Sequence, residues 1–158
     1  MASLGPKREY ICADLRRESP RILLLHSDIR QLLRYRSLFE ELGCTVSATT
    51  SFSEGARWLG HQAFELVLLE QGSGEFENHA VLAIAMEIDS DLRVIVVADP
   101  YEPKCCVKAL RSGALDYLQA PLRKEQIYGL LDTFIARGDL WHGYYRRSRK
   151  TPGTDGAD

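Results

Sequence analysis

Three short stretches of this chain are almost wholly apolar: Ile22 to Leu25 (ILLL), Phe64 to Leu69 (FELVLL) and Val94 to Val97 (VIVV). A strand with one wet face alternates polar and apolar residues, so unbroken runs of this length need cover on both faces. That requirement points to a sheet sandwiched between helices. Between the runs the apolar spacing changes to the helical one. From Ile29, the residues Leu32, Leu33, Leu38, Phe39 and Leu42 recur at helical intervals, and Gly43 follows as a stop.

The same unit recurs in weaker form. Cys44 to Ala48 reads as a short strand, and Ser51 or Ser53 caps a helix carrying Ala56, Trp58 and Leu59 that ends by Gly60. After the Phe64 to Leu69 strand and Glu70, Gln71 to Gly74 forms a glycine-containing loop. The next helix carries Val81, Leu82, Ala85, Met86 and Ile88 on its buried stripe. Beyond Val94 to Val97, a fourth helix through Val107, Ala109 and Leu110 stops at Gly113. A last strand spans Leu115 to Leu118, and a final helix holds Ile127, Leu130, Leu131, Phe134 and Ile135. Five strand–helix alternations with right-handed crossovers give a doubly wound α/β fold with a parallel sheet and helices on both faces. In such sheets the site lies beyond the carboxyl ends of the strands, which selects His26, Ser27, Asp28, Glu70, Ala98, Asp99 and Ala120.

At 158 residues with 45% hydrophobic content, the chain suits a single core. The expected organisation is a lead-in over 1–20, one domain over 21–137 and an aromatic, basic tail over 138–158. No run approaches the ~20 apolar residues of a spanning helix, so a soluble, cytoplasmic protein without membrane contact is expected. Cys12, Cys44, Cys105 and Cys106 lack CxxC spacing and read as reduced thiols. A formal charge of −2 exerts no global pull on nucleic acid.

Four strings, RILLLHSD, FELVLLE, RVIVVAD and GALDYLQAP, occur in this order at consistent spacing, and they resemble the receiver domains of two-component response regulators. The resemblance covers about Arg21 to Arg137 and implies a flavodoxin-like five-stranded sheet of order 2-1-3-4-5. It also implies a magnesium-assisted phosphoryl acceptor: an acidic pair after the first strand, an Asp after the third, a hydroxyl residue after the fourth and a Lys after the fifth. This chain departs at each place. His26 and Ser27 stand at the acidic pair, Glu70 at the acceptor, Ala98 at the hydroxyl and Ala120 at the Lys.

The residues present suggest what replaces that chemistry. His26 and Ser27 offer an imidazole and a hydroxyl where Mg²⁺ needs carboxylate oxygens, so no cofactor or metal is expected. Glu70 keeps a negative charge one methylene further out, either as a mimic of the phosphorylated state, as a partner for a charged His26, or as an independent polar group. Asp28 is the neighbouring acid and an apt cap for the first helix. Asp99 and Glu102 lie in the loop after the fourth strand, within possible reach of His26 or Arg30. Zinc held by His26, Glu70, Asp28 and Asp99 lacks a supporting spacing.

The resemblance further implies a contact face on the fourth helix, fifth strand and fifth helix. Tyr101, Lys104, Lys108, Arg111, Asp116, Arg123, Lys124 and Tyr128 supply it, with Tyr117 at the family's reporter aromatic and a cis peptide before Pro121. Without a hydroxyl at Ala98, Tyr117 reads as a fixed contact or packing residue. Cys105 and Cys106 open the fourth helix, where a thiol is either packed or acidified by the helix N-terminus. The expected function is a stand-alone atypical receiver, not an enzyme, whose partner is a histidine kinase, an output protein, another regulator or a second copy. The alternatives are phosphorylation at Ser27, His26 or Asp28, and a nucleic-acid adaptor using Trp141, His142, Tyr144, Tyr145, Arg146, Arg147, Arg149 and Lys150.

Overall fold

The computed structural model describes residues 19–73 and 76–136. The elements follow the expected alternation: β1 (Arg21–Leu25), α1 (Ile29–Glu41), β2 (Thr45–Thr49), α2 (Phe52–Leu59), β3 (Leu66–Glu70), α3 (His79–Ile88), β4 (Val94–Ala98), α4 (Pro103–Arg111), β5 (Asp116–Gln119) and α5 (Lys124–Leu131), with a π-helical turn over Asp132–Ala136. All strand pairs are parallel and the order is β2-β1-β3-β4-β5. The sheet is the flavodoxin-like one that the resemblance implied. Most of the lead-in, Cys12, Arg137 and the whole 138–158 tail lie outside the described residues. Among the described residues no helix is long and apolar enough to cross a membrane.

The unbroken runs are buried on both faces for the reason their composition demands. Ile22, Leu24, Leu66, Leu68, Ile95 and Val97 face one core, closed by Leu32, Tyr35 and Phe39 of α1 and by Ile127, Leu130 and Leu131 of α5. Leu23, Leu25, Val67, Leu69, Val94 and Val96 face the other, closed by Leu59, Val81, Leu82, Ala85, Cys105 and Ala109 of α2, α3 and α4. Each fully buried aliphatic side chain contributes about 1.5–3 kcal/mol over an exposed one.

Several expected boundaries and faces move. Cys44 follows the turn that closes α1, its N–H bonded back to Phe39 O; β2 therefore starts at Thr45, whose N–H bonds to Pro20 O. β3 starts at Leu66, because Glu65 turns its carboxylate onto the Arg21 N–H. Leu115 precedes β5. On α4, Val107 and Leu110 are exposed, as are Leu33 on α1 and Ile88 on α3. Cys105 and Ala109 point inward on α4, and at ~100° per residue Val107 lies on the opposite side from Cys105. α1 ends as expected: Gly43 has φ 94°, a left-handed conformation that favours glycine.

Candidate functional site

The strand-end cluster begins where β1 stops. Asp28 caps α1, with its Oδ1 accepting the Arg30 N–H at 2.9 Å. This bond satisfies one of the free donors of the first turn and fixes the backbone of His26, Ser27 and Asp28 over the sheet end. The His26 ring is 12% exposed and meets the Tyr35 ring edge-on, with centroids 6.0 Å apart. Its Nδ1 accepts the Asp28 N–H at 3.0 Å.

Glu70, the last residue of β3, places Oε1 2.7 Å from the Ser27 N–H it accepts and 3.7 Å from His26 Nδ1. The two groups lie within ion-pair distance, yet Glu70 makes no hydrogen bond to that nitrogen. A ring nitrogen that accepts an amide proton presents a lone pair and has no proton to share with a carboxylate. Glu70 is tied to the turn through a backbone amide.

His26, Asp28, Gln31, Glu70, Asp99 and Ala120 line one cleft of about 220 Å³. The structure thus brings most of the strand-end residues together, Asp99 included. It leaves out Ser27 and also Ala98, which is 0% exposed and packed toward α2, α3 and α4. Ala98 meets the site only through its carbonyl, which accepts the Ala120 N–H at 2.7 Å. The Ala120–Pro121 peptide is cis, as the resemblance implied, and Asp99–Pro100 is cis as well. Among the described residues no three His, Cys, Asp or Glu side chains are placed to share a metal ion. Asp28 and Glu70 already accept backbone N–H groups, so those carboxylates serve the turn.

Three polar residues that matter here escaped the sequence reading. Tyr35 is 1% exposed, and its hydroxyl accepts the Leu122 N–H at 3.0 Å, tying α1 to the turn after Pro121. Burial pushes its hydroxyl above the usual range, an effect that the Leu122 N–H partly opposes. Asn78 donates from Nδ2 to Glu70 O at 2.9 Å. Gln71, 2% exposed, accepts the Tyr117 hydroxyl proton on Oε1. Strand alternation offered a signal for Gln71: Leu69 faces the α2–α4 core, so a residue two further on faces it too. Reading Gln71 as the start of a loop hid that continuation.

Tyr117 is packed inside, and its oxygen also accepts the Glu102 N–H at 3.2 Å. Tyr101 stacks edge-on against it at 5.0 Å and donates to Cys106 Sγ at 3.2 Å. Cys105 is buried in the core and Cys106 is half-buried. Tyr101, Lys104, Lys108, Arg111, Asp116, Arg123 and Lys124 are exposed. Lys124 lies 3.8 Å from Glu41 of α1. Tyr128 is half-buried against the α1/α5 core, away from α4. Glu102 does not line the cleft.

Sheet order, crossovers and a cleft at the carboxyl strand ends define a CheY-like α/β receiver fold. Solved structures agree. A two-component response regulator from Clostridium difficile superposes with a TM-score of 0.70 at 19% identity, covering 77% of this chain and 99% of that one. A CheY-like receiver domain protein from Methanospirillum hungatei gives 0.68 at 23% identity, covering 77% and 100%. No family model matches the chain. Among curated proteins, the alginate biosynthesis transcriptional regulatory protein AlgB of Pseudomonas putida is 32% identical over 108 residues, 68% of this chain and 24% of that protein. The transcriptional regulatory protein ZraR of Escherichia coli K12 is 26% identical over 115 residues, 73% of this chain and 26% of that protein. The chain thus spans about a quarter of the length of these relatives. Fold and sequence likeness together make the chain similar to the receiver domains of two-component response regulators.

Proposed function

We propose that this receiver acts in two-component signalling as a protein-contact module, without conventional aspartyl phosphorylation and without an enzymatic step of its own. The observation that carries this reading is the engagement of Glu70 by the Ser27 N–H at 2.7 Å, beside a His26 whose Nδ1 is filled by the Asp28 N–H. Asp28 and Glu70 are engaged by backbone N–H groups, and His26 and Ser27 offer an imidazole and a hydroxyl where a hard cation prefers carboxylates. Ala98 and Ala120 add no hydroxyl or ammonium to follow a phosphoryl group.

The contact surface is centred on α4. Tyr101, Val107 and Leu110 present an apolar centre, and Lys104, Lys108 and Arg111 supply a basic rim. Apolar centres with polar rims are the usual anatomy of a protein interface. Lys124 and Tyr128 contribute less than the sequence suggested, because each is turned toward α1 or the core beneath it. The partner is a histidine kinase, an output protein, another regulator or a second copy; one structural neighbour, the beryllofluoride-activated NtrC4 receiver domain, is described as a dimer.

The test is an amide spectrum of the full chain recorded with Mg²⁺ and acetyl phosphate or a beryllofluoride mimic. Unmoved signals at His26, Glu70 and Tyr117 are expected. Joint movement of the strand ends and Tyr117 refutes the reading.

A further inference from the structure

We propose that Gln71 is a positioning residue that latches Tyr117 inside the domain and, through Tyr117, sets the start of α4 and the exposed Tyr101 beside it. The latch is a buried polar network with each partner identified. Gln71 and Tyr117 are 2% and 4% exposed. The Tyr117 hydroxyl donates to Gln71 Oε1 and accepts the N–H of Glu102, the residue just before α4. Burial holds that hydroxyl above its ordinary range, so it remains a proton donor at neutral pH.

Gln71 is itself held rigidly. Its N–H bonds to Val97 O at 2.8 Å, and its carbonyl accepts the Asn78 N–H at 3.1 Å. The Asn78 side chain in turn donates to Glu70 O, so the residue at the strand-end cleft and the residue holding Tyr117 are clamped by one residue, through its side chain and its backbone N–H respectively. On the outer side, Tyr101 stacks on Tyr117 and donates to Cys106 of α4. A continuous set of hydrogen bonds and one ring contact therefore runs from the end of β3 to an aromatic that is 43% exposed.

A carboxamide suits this position. A buried tyrosine hydroxyl without an acceptor is destabilising, and Gln71 supplies that acceptor from a backbone held at both its N–H and its carbonyl. Nothing in the network needs a phosphoryl group, a metal or the cleft's carboxylates. The inference rests on the proposed function only in treating the latched arrangement as permanent.

The experiment uses the full chain with labelled backbone and tyrosine rings and no phosphodonor. Gln71→Met keeps a similar unbranched volume and removes the acceptor; Tyr117→Phe removes only the hydroxyl, and it remains informative if the first variant folds poorly. Each single variant is expected to raise hydrogen exchange of the Glu102 amide about tenfold and to shift the Tyr101 ring signals. The double variant should move them no further than Tyr117→Phe alone, because both changes remove one shared interaction. Gln71→Glu keeps an acceptor oxygen and should leave the Tyr101 signals near those of the parent. Additive effects of the two single changes, or Glu102 and Tyr101 signals indifferent to Gln71→Met, would overturn the latch. A response to phosphodonor with this coupling intact would instead count against the proposed function alone.

Discussion

Replacing Tyr35 by Phe removes one oxygen from the interior and tests how α1 is fastened to the turn after Pro121. The ring is retained, so no cavity of consequence opens and the contact with His26 can persist. What is lost is the acceptor of the Leu122 N–H, a 3.0 Å bond between residues that are 1% and 0% exposed. A buried amide deprived of its partner costs about 1–3 kcal/mol, and at this depth water cannot substitute without opening the loop. Urea unfolding of Tyr35→Phe should therefore show a lower midpoint at unchanged slope, corresponding to about 1–3 kcal/mol. Amide exchange at Leu122 should rise in step. A loss below about 0.5 kcal/mol at unchanged slope would mean that the bond contributes little beyond what water provides, and the account of α1 docking would be refuted.

Gly55→Ala should destabilise by about 1–3 kcal/mol, because a Cβ there would sit 2.2 Å from Cδ2 of the buried Leu25; combined with Leu25→Ala it should cost less than the sum of the two single changes in the same unfolding assay. Asp28→Ala removes the cap of α1 and should cost about 0.5–2 kcal/mol by chemical denaturation; an unchanged midpoint would deny the cap its role. Burial raises the folded-state pKa of Tyr35 and Tyr117 above the ordinary value of 10.0, so the unfolded chain ionises first. Their contribution to stability should be level below about pH 10 and fall as pH rises beyond it. Tyr35→Phe with Tyr117→Phe should flatten that slope in a pH series of melts, and a slope equal to the parent's would exclude these two hydroxyls as its source.

The chain order of elements and the sidedness of the sheet were legible because strand burial on two faces writes itself as unbroken apolar runs. Ile22 to Leu25 and Val94 to Val97 call for cover on both faces of a sheet, and the alternation with helical stripes then restricts the topology. Which residues stand at the strand ends, His26, Ser27, Glu70, Ala98 and Ala120, was equally legible, since the apolar runs stop at or beside them.

Tertiary structure decided the rest. Whether Glu70 pairs with His26 or with a backbone amide depends on which donor points where, and turn geometry gave the amide the place while Asp28 filled His26 Nδ1. Apolar pattern could not rank Leu33, Val107 and Leu110 against Tyr35 and Cys105, because the inward face of a helix is chosen by the sheet it meets. Gln71 read as a loop residue because its importance comes from Tyr117, 46 positions away, and a single sequence without a fold cannot bring those two side chains together. Local pattern thus determined the elements and the residues at the strand ends; the pairing of polar groups across long separations existed only once the sheet had assembled.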